Sequence, residues 1–299
     1  MIVTKNDIRK SLPEFPEAIQ RLRQYLDKDQ PQLVQYVARL WKNQQQAITY
    51  AELRRALISG KIDKVTLKAW MQDYSKFIVT TMLPSWQTAM VEASQQITET
   101  HEGFVINLTA PNVKAWTTEH AGEFITDITV QQKKAINALI QRASTIQDMG
   151  VDQLARAIRP TIGLYPGQAI ANMNYMLNVK RTLQETNPTM RTGTAEKRAI
   201  EAAAKYAEKQ QRYRAEMIAR TELASAYNNG EQLAIEQAVE QKIMKPCTKT
   251  SVSAGDSRVC FICQNLDGET IGMDEEFLPG KKSPPYHPHC RCVNVFREE

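Results

Sequence analysis

Apolar residues recur every three to four positions through most of the chain, the period of a helix packed on one face. The first such run is Phe15 to Leu26, where Ile19, Leu22 and Leu26 fall on one side. The next covers Gln32 to Ser59, with Leu33, Val37, Leu40, Ile48, Leu53 and Leu57 as its stripe and Ser59-Gly60 as its end. A third runs from Asp63 to Met82, where Leu83-Pro84 marks a kink or stop because proline lacks the helical donor. His101 to Trp116 breaks the pattern. There Phe104 to Leu108 fits a short strand or a packed loop, and Ala110-Pro111-Asn112 fits a turn.

Helical spacing returns with Phe124, Ile128, Ile136, Leu139, Ile140 and Ala143. Gly150-Val151-Asp152 reads as a helix end followed by an N-cap at Asp152, whose carboxylate can accept first-turn amides. That short helix stops at Arg159-Pro160, and another over 166–185 is closed by Asn187-Pro188. The longest signal is Thr194 to Lys242, with only Gly230 as an internal weak point. Ala199, Ala203, Tyr206, Tyr213 and Met217 predict its apolar face, and Arg198, Lys205, Lys209 and Arg212 a basic one. Glu201, Glu208 and Glu216 interleave at pairing distance, so a solvated surface is the plainer reading and phosphate contact the functional one.

Beyond Pro246 the periodicity ends and Ser, Thr, Gly, Asp and Pro become common. The expected organisation is a helical region over 1–110, a helical core over 111–245 ending in the long helix, and a small module over 246–299. The fold class is mainly α, an elongated multi-helix body with an irregular, zinc-stabilised C-terminal module. A hydrophobic fraction of 42% and a charged fraction of 24% suit a soluble globular protein. No apolar run is long enough to span a bilayer, and the N-terminus lacks the apolar core of a secretory signal, so a cytosolic product with no membrane partner is expected. The net charge of +5 permits contact with nucleic acid without demanding it.

All five cysteines fall in the C-terminal stretch. Cys260-Phe-Ile-Cys263 and His287-Pro-His-Cys290-Arg-Cys292 are two clusters of soft donors, the pattern of a four-ligand zinc site. Such a site supplies folding energy to a segment too small and polar to bury its own core. Two shells are open. Cys260, Cys263, His287 and Cys290 repeat the same two-residue gap, whereas an extended Cys290-Arg-Cys292 would offer both sulfurs and release the histidine. Cys247 lacks a partner at ligand spacing. Neither H-x-E nor H-E-x-x-H occurs, so no general base accompanies the donors, and no catalytic residues are expected.

Met217-Ile-Ala-Arg-Thr-Glu222, Tyr227-Asn-Asn-Gly230, Asp256-Ser-Arg-Val-Cys260-Phe-Ile-Cys263, Leu266-Asp-Gly268 and Pro284-Pro-Tyr-His287-Pro-His-Cys290-Arg-Cys292 follow one another in that order. Together they resemble the C-terminal domain of the phage Mu F-like, or minor head, protein family, over about residues 150–295. A tryptophan common before the aspartate in that family is replaced here by Met244-Lys-Pro-Cys247. The resemblance implies a non-enzymatic head-morphogenesis component inside the capsid of a tailed phage. Its partners would be portal protein, packaged DNA, and scaffold or major capsid protein, and it would assist capsid assembly or genome ejection. The alternatives are a cellular zinc-dependent nucleic-acid-binding protein and a zinc enzyme. Arg220 and Glu222, two apart on a helix, cannot face each other, and one of them is a candidate bridge to the zinc module.

Overall fold

The computed structural model describes residues 15–146 and 149–299; residues 1–14 of the expected 1–110 region lie outside them. Helix α1 (Pro16–Ala47) fuses the first expected helix with the start of the second. Proline at 31 removes one hydrogen bond, yet Leu22, Leu26, Leu33 and Val37 stay in phase and buried, so burial outweighs the break. The real interruption lies at Thr49. Its hydroxyl accepts from the Glu52 amide at 3.2 Å while the Glu52 carboxylate accepts from the Thr49 amide at 2.7 Å. This reciprocal cap starts α2 (Tyr50–Ser59), which Gly60 closes with φ +74°.

Asp63 caps α3 (Lys64–Phe77), accepting from the Thr66 amide at 2.7 Å. Leu83-Pro84 is not a stop. A single π turn over Ile78–Met82 widens the spiral, and α4 (Leu83–Thr100) continues with Pro84 in its first turn, where no donor is required. Phe104 to Leu108 is the packed loop, with Phe104 and Ile106 buried. The Gln237 side chain takes the place of a strand partner: its Oε1 accepts from the Asn107 amide at 2.8 Å and its Nε2 donates to the Asn107 carbonyl at 3.2 Å. The expected turn at Pro111 is instead the start of α5 (Pro111–Ala143).

Gly150, not Asp152, caps α6 (Val151–Ile158); Asp152 lies inside the first turn and pairs with Arg54 at 3.1 Å. A 3-10 turn over Arg159–Thr161 leads to α7 (Pro166–Thr186) and then to α8 (Thr192–Glu240). The buried stripe of α8 is Ala195, Ala199, Ala203, Ala207, Ala215 and Ala219. Tyr213, expected on that face, is 53% exposed, because alanines at four-residue spacing already fill it and leave no room for a ring.

The described residues divide into two compact units, one holding those up to Leu33 with Thr81–Thr118 and Met217–Glu299, the other those within Val34–Thr80 and Glu119–Glu216. In the second, Trp41 is fully buried and donates through Nε1 to the Tyr74 hydroxyl at 3.2 Å, which in turn donates to Gln132 at 2.7 Å. Arg214, also buried, donates to the Gly163 carbonyl at 2.7 Å and to Gln131 at 2.9 Å and covers the Trp41 ring at 5.3 Å. Lys180 and Glu196 form a buried ion pair at 3.6 Å.

In the first unit, Met90, Ile97, Phe104, Val113, Leu233 and Ile235 form the apolar core. Gly230 has a packing reason to interrupt a good helix former. A Cβ there would stand 2.5 Å from the Met90 Cα, so only glycine lets α4 and α8 approach this closely. Gly230→Ala is expected to lower stability by about 1–3 kcal/mol through overpacking, read as a shift of the urea midpoint; a neutral result would mean the two helices separate freely.

The C-terminal residues form a three-stranded antiparallel sheet, ordered β2 (Thr270–Gly272), β1 (Cys247–Val252), β3 (Val293–Glu298). Helix α9 (Phe261–Leu266) lies between β1 and β2 in the chain. Thr250 pairs with Thr270 on one side and Val295 on the other, fixing the register of the central strand.

Candidate metal centre

The first donor pair is set by a helix start. Cys260 is the N-cap of α9, and its sulfur accepts from the Cys263 amide at 3.5 Å, so a thiol replaces the usual hydroxyl cap. That turn holds Cys260 and Cys263 on one side, while Phe261 and Ile262 between them are exposed. The second cluster is a tight turn. The Cys290 amide donates to the His287 carbonyl at 3.1 Å, His289 takes the left-handed backbone at φ +61°, and Cys292 enters β3. Ordinary propensity gives little warning of this, since a histidine in the left-handed region is uncommon.

All five expected donors converge. His287 Nε2 lies 3.1 Å from both the Cys260 and Cys263 sulfurs, and the Cys263 and Cys290 sulfurs are 3.7 Å apart. Cys260, Cys263 and His287 form one group of mutually close ligand atoms, and Cys263, Cys290 and Cys292 another. Cys263 belongs to both. Sulfurs bound at ~2.3 Å in a tetrahedron stand roughly 3.8 Å apart, so the Cys263–Cys290 separation matches a tetrahedral edge. The cluster can therefore hold a metal ion.

The histidine is oriented for the task. His287 Nδ1 lies 2.7 Å from the Pro288 carbonyl, which can only accept, so Nδ1 is the donor there and Nε2 is the nitrogen turned toward the sulfurs. The thiols compete for charge. Hydrogen bonding from Cys263, then Cys292, favours the charged form of Cys290 and holds it far below the usual thiol range. A cation bound among these sulfurs would displace their remaining protons.

The surroundings are dry. Leu266, Phe277 and Tyr286 pack with the buried cysteines, the two rings edge to face at 6.0 Å, and Tyr286 donates to Ser251 on β1 at 2.9 Å. Asp256 clamps the rim, accepting from Arg291 at 2.6 Å and from Arg258 at 3.0 Å. Hydrogen bonding from Arg291 holds its carboxyl well below the ordinary carboxylate range. Cys247 is elsewhere, buried in the apolar core of the first unit, where burial pushes its thiol up.

Next to Arg220 and Glu222, the candidate bridge residues, other side chains of α8 reach the module. Thr221, between them, accepts from the His289 amide at 3.3 Å, and Asn228 donates to the Cys292 carbonyl at 3.4 Å. Arg198, Lys205, Lys209 and Arg212 are all exposed on the portion of α8 in the second unit. A group the sequence did not reveal is Lys249 on β1. It is fully buried, donates to the Met273 carbonyl at 2.8 Å, and is pulled down to about 8 by burial. Its position in the alternating Lys249-Thr-Ser stretch carried no signal, because both faces of the central strand are covered.

The chain is mainly helical, and its small C-terminal sheet carries a Cys/His cluster that could hold a metal ion. The family model described as Phage Mu protein F like protein matches residues 146–295, and the chain belongs to that family, one of phage head morphogenesis proteins. No curated protein and no solved structure matches the chain. Among the described residues no helix is long and apolar enough to cross a membrane.

Proposed function

We propose that this chain is a minor head protein of a tailed bacteriophage, a structural component of the capsid interior whose C-terminal module is closed by one zinc ion. The family match carries the reading, and the convergence of four other sulfur and nitrogen donors on Cys263 supports the metal. Cys260, Cys263, His287 and Cys290 are the ligands in one arrangement, with Cys292 as the alternative to His287. Either fills four positions and leaves none for an activated water. Asp256, at the rim, is committed to two arginines and is a poor general base. Both points favour a folding role for the ion, and a non-enzymatic protein.

The partners in this reading are portal protein, packaged DNA, and scaffold or major capsid protein, and the role is in capsid assembly or genome ejection from a virion assembled in the host cytoplasm. The expected regions 1–110, 111–245 and 246–299 are retained as folding units to be tested. Protein purified reduced and without chelator is expected to carry one zinc per chain; well under half an equivalent would refute the metal assignment. Phage made without the gene should still form portal rings but few infectious particles, scored by particle count, DNA content and plaques. Normal infectivity would end the head-protein reading.

A further inference from the structure

Lys249 is fully buried on the central strand β1 and makes no ion pair among the described residues. Its Nζ instead donates to the Met273 carbonyl at 2.8 Å and to Gln232 Oε1, on α8, at 3.4 Å. An ammonium kept from water with only neutral acceptors is costly. Burial, with Lys282 next, pulls the amine down to about 8 against the opposing Glu236, Asp274 and Glu275, which brings its neutral, nucleophilic form within reach near neutral pH. The Gln232 carboxamide beside it is buried and held at both ends. Ser283 donates to its Oε1 at 2.7 Å, and Asn294 fixes that hydroxyl by donating to it at 2.9 Å. Its Nε2 donates to the Glu236 carboxylate at 3.0 Å and to the Met273 carbonyl at 3.3 Å. One carbonyl thus brings the two nitrogens together. Glu236 is itself steadied by the Asn112 amide at 3.2 Å.

An amine, a carboxamide, a carboxylate and a hydroxyl donor in mutual contact are the parts of an amide exchange. We propose that Lys249 and Gln232 form an intramolecular isopeptide bond, with Glu236 as the proton carrier, which joins α8 covalently to β1. Lys249 first gives its ammonium proton to solvent, and the neutral nitrogen adds to Gln232 Cδ. The Ser283 hydroxyl holds the negative charge that develops on Oε1. Glu236 takes a proton from the attacking nitrogen and passes it to Nε2. The Cδ–Nε2 bond breaks, ammonia leaves, and the new Cδ–Nζ bond remains. No electrons are exchanged and no co-reactant is needed. Two effects drive the exchange: ammonia escapes to solvent, and a charge disappears from the interior. The bond spans 17 residues of chain over the end of α8, and it ties the C-terminal module to the long helix whether or not a metal is bound.

The test is the intact mass of the full chain, purified folded and then denatured, followed by peptide mapping. The wild type should be lighter than its sequence by one ammonia, and a digest should yield a branched peptide joining the Gln232 and Lys249 segments. A wild type that stays at full sequence mass, even after incubation in mildly alkaline buffer where the amine is neutral, overturns the proposal. So does an ammonia loss that maps to Asn229-Gly230, where a succinimide would give the same mass. Lys249→Arg keeps the charge without the nucleophile and should show the full mass of its own sequence; an ammonia loss in that variant also overturns the bond. If Lys249→Arg does not fold, the branched peptide of the wild type decides. Glu236→Gln keeps the side chain's shape and should form the bond about a hundredfold more slowly, emerging mostly unlinked from an expression that yields linked wild type. A fully linked Glu236→Gln chain overturns the part given to Glu236.

Discussion

Cys263→Ser is expected to abolish metal binding and unfold the C-terminal module, the largest effect of any single change in this chain. Cys263 is the one donor common to both groups of close ligand atoms, so no alternative shell survives without it. Structural zinc contributes roughly 10–16 kcal/mol to folding of small modules, far more than the polar stretch around β1 to β3 can replace. Far-UV circular dichroism should keep most of its helical signal while near-UV signals from Tyr286 and Phe277 collapse. Cys247→Ser is the matched control. That thiol sits in an apolar core away from the cluster, so the variant should retain its metal and lose only about 1–3 kcal/mol. A Cys263→Ser protein with a full equivalent of metal would refute the assignment. Unfolding of the whole chain in one step would instead remove the proposed boundary near residue 245.

Trp41→Ala should destabilise the second unit by about 3–5 kcal/mol, the usual cost of emptying a fully buried indole site. Three partners lose contact together: the Tyr74 hydroxyl, the Arg214 guanidinium stacked on the ring, and Gly163. A Cβ on Gly163 would stand 2.5 Å from the indole, and the residue has φ +91°, so the turn and the ring are fitted to each other. Metal content should remain unchanged. A urea midpoint within error of wild type would mean that Arg214 and Tyr74 refill the space.

The long elements were legible in the sequence wherever periodicity alone decides. Helix α8 is the clearest case, foreseen at Thr194 to Lys242 and found at Thr192–Glu240. Boundaries failed where a local rule met tertiary packing. The sequence reading ended one helix at Leu26 and began the next at Gln32, but continuous burial on both sides of Pro31 makes them one helix. Thr49 holds the true break, and its capping box Thr49-x-x-Glu52 was readable but masked by the apolar stripe running across it. Tyr213 was misassigned because small residues, not large ones, define the buried face of α8 between Ala195 and Ala219. The donor clusters were visible because ligand spacing is short-range. The contacts of α8 with the cluster through Thr221 and Asn228 were not, since they join residues far apart in the chain.

The two donor clusters are far apart in sequence, Cys263 and Cys290 being 27 residues apart. A bound ion thus pins both ends of a loop that holds only the end of α9, β2 and irregular turns. This makes the stretch a reporter of occupancy. Loop closure of this length restricts the open chain much as a disulfide would, by roughly 3–4 kcal/mol in the chain-entropy account. With the ion bound, a protease finds few extended segments there. After chelation the same stretch becomes the preferred cleavage site, and its fragments record, chain by chain, how much of a preparation was loaded.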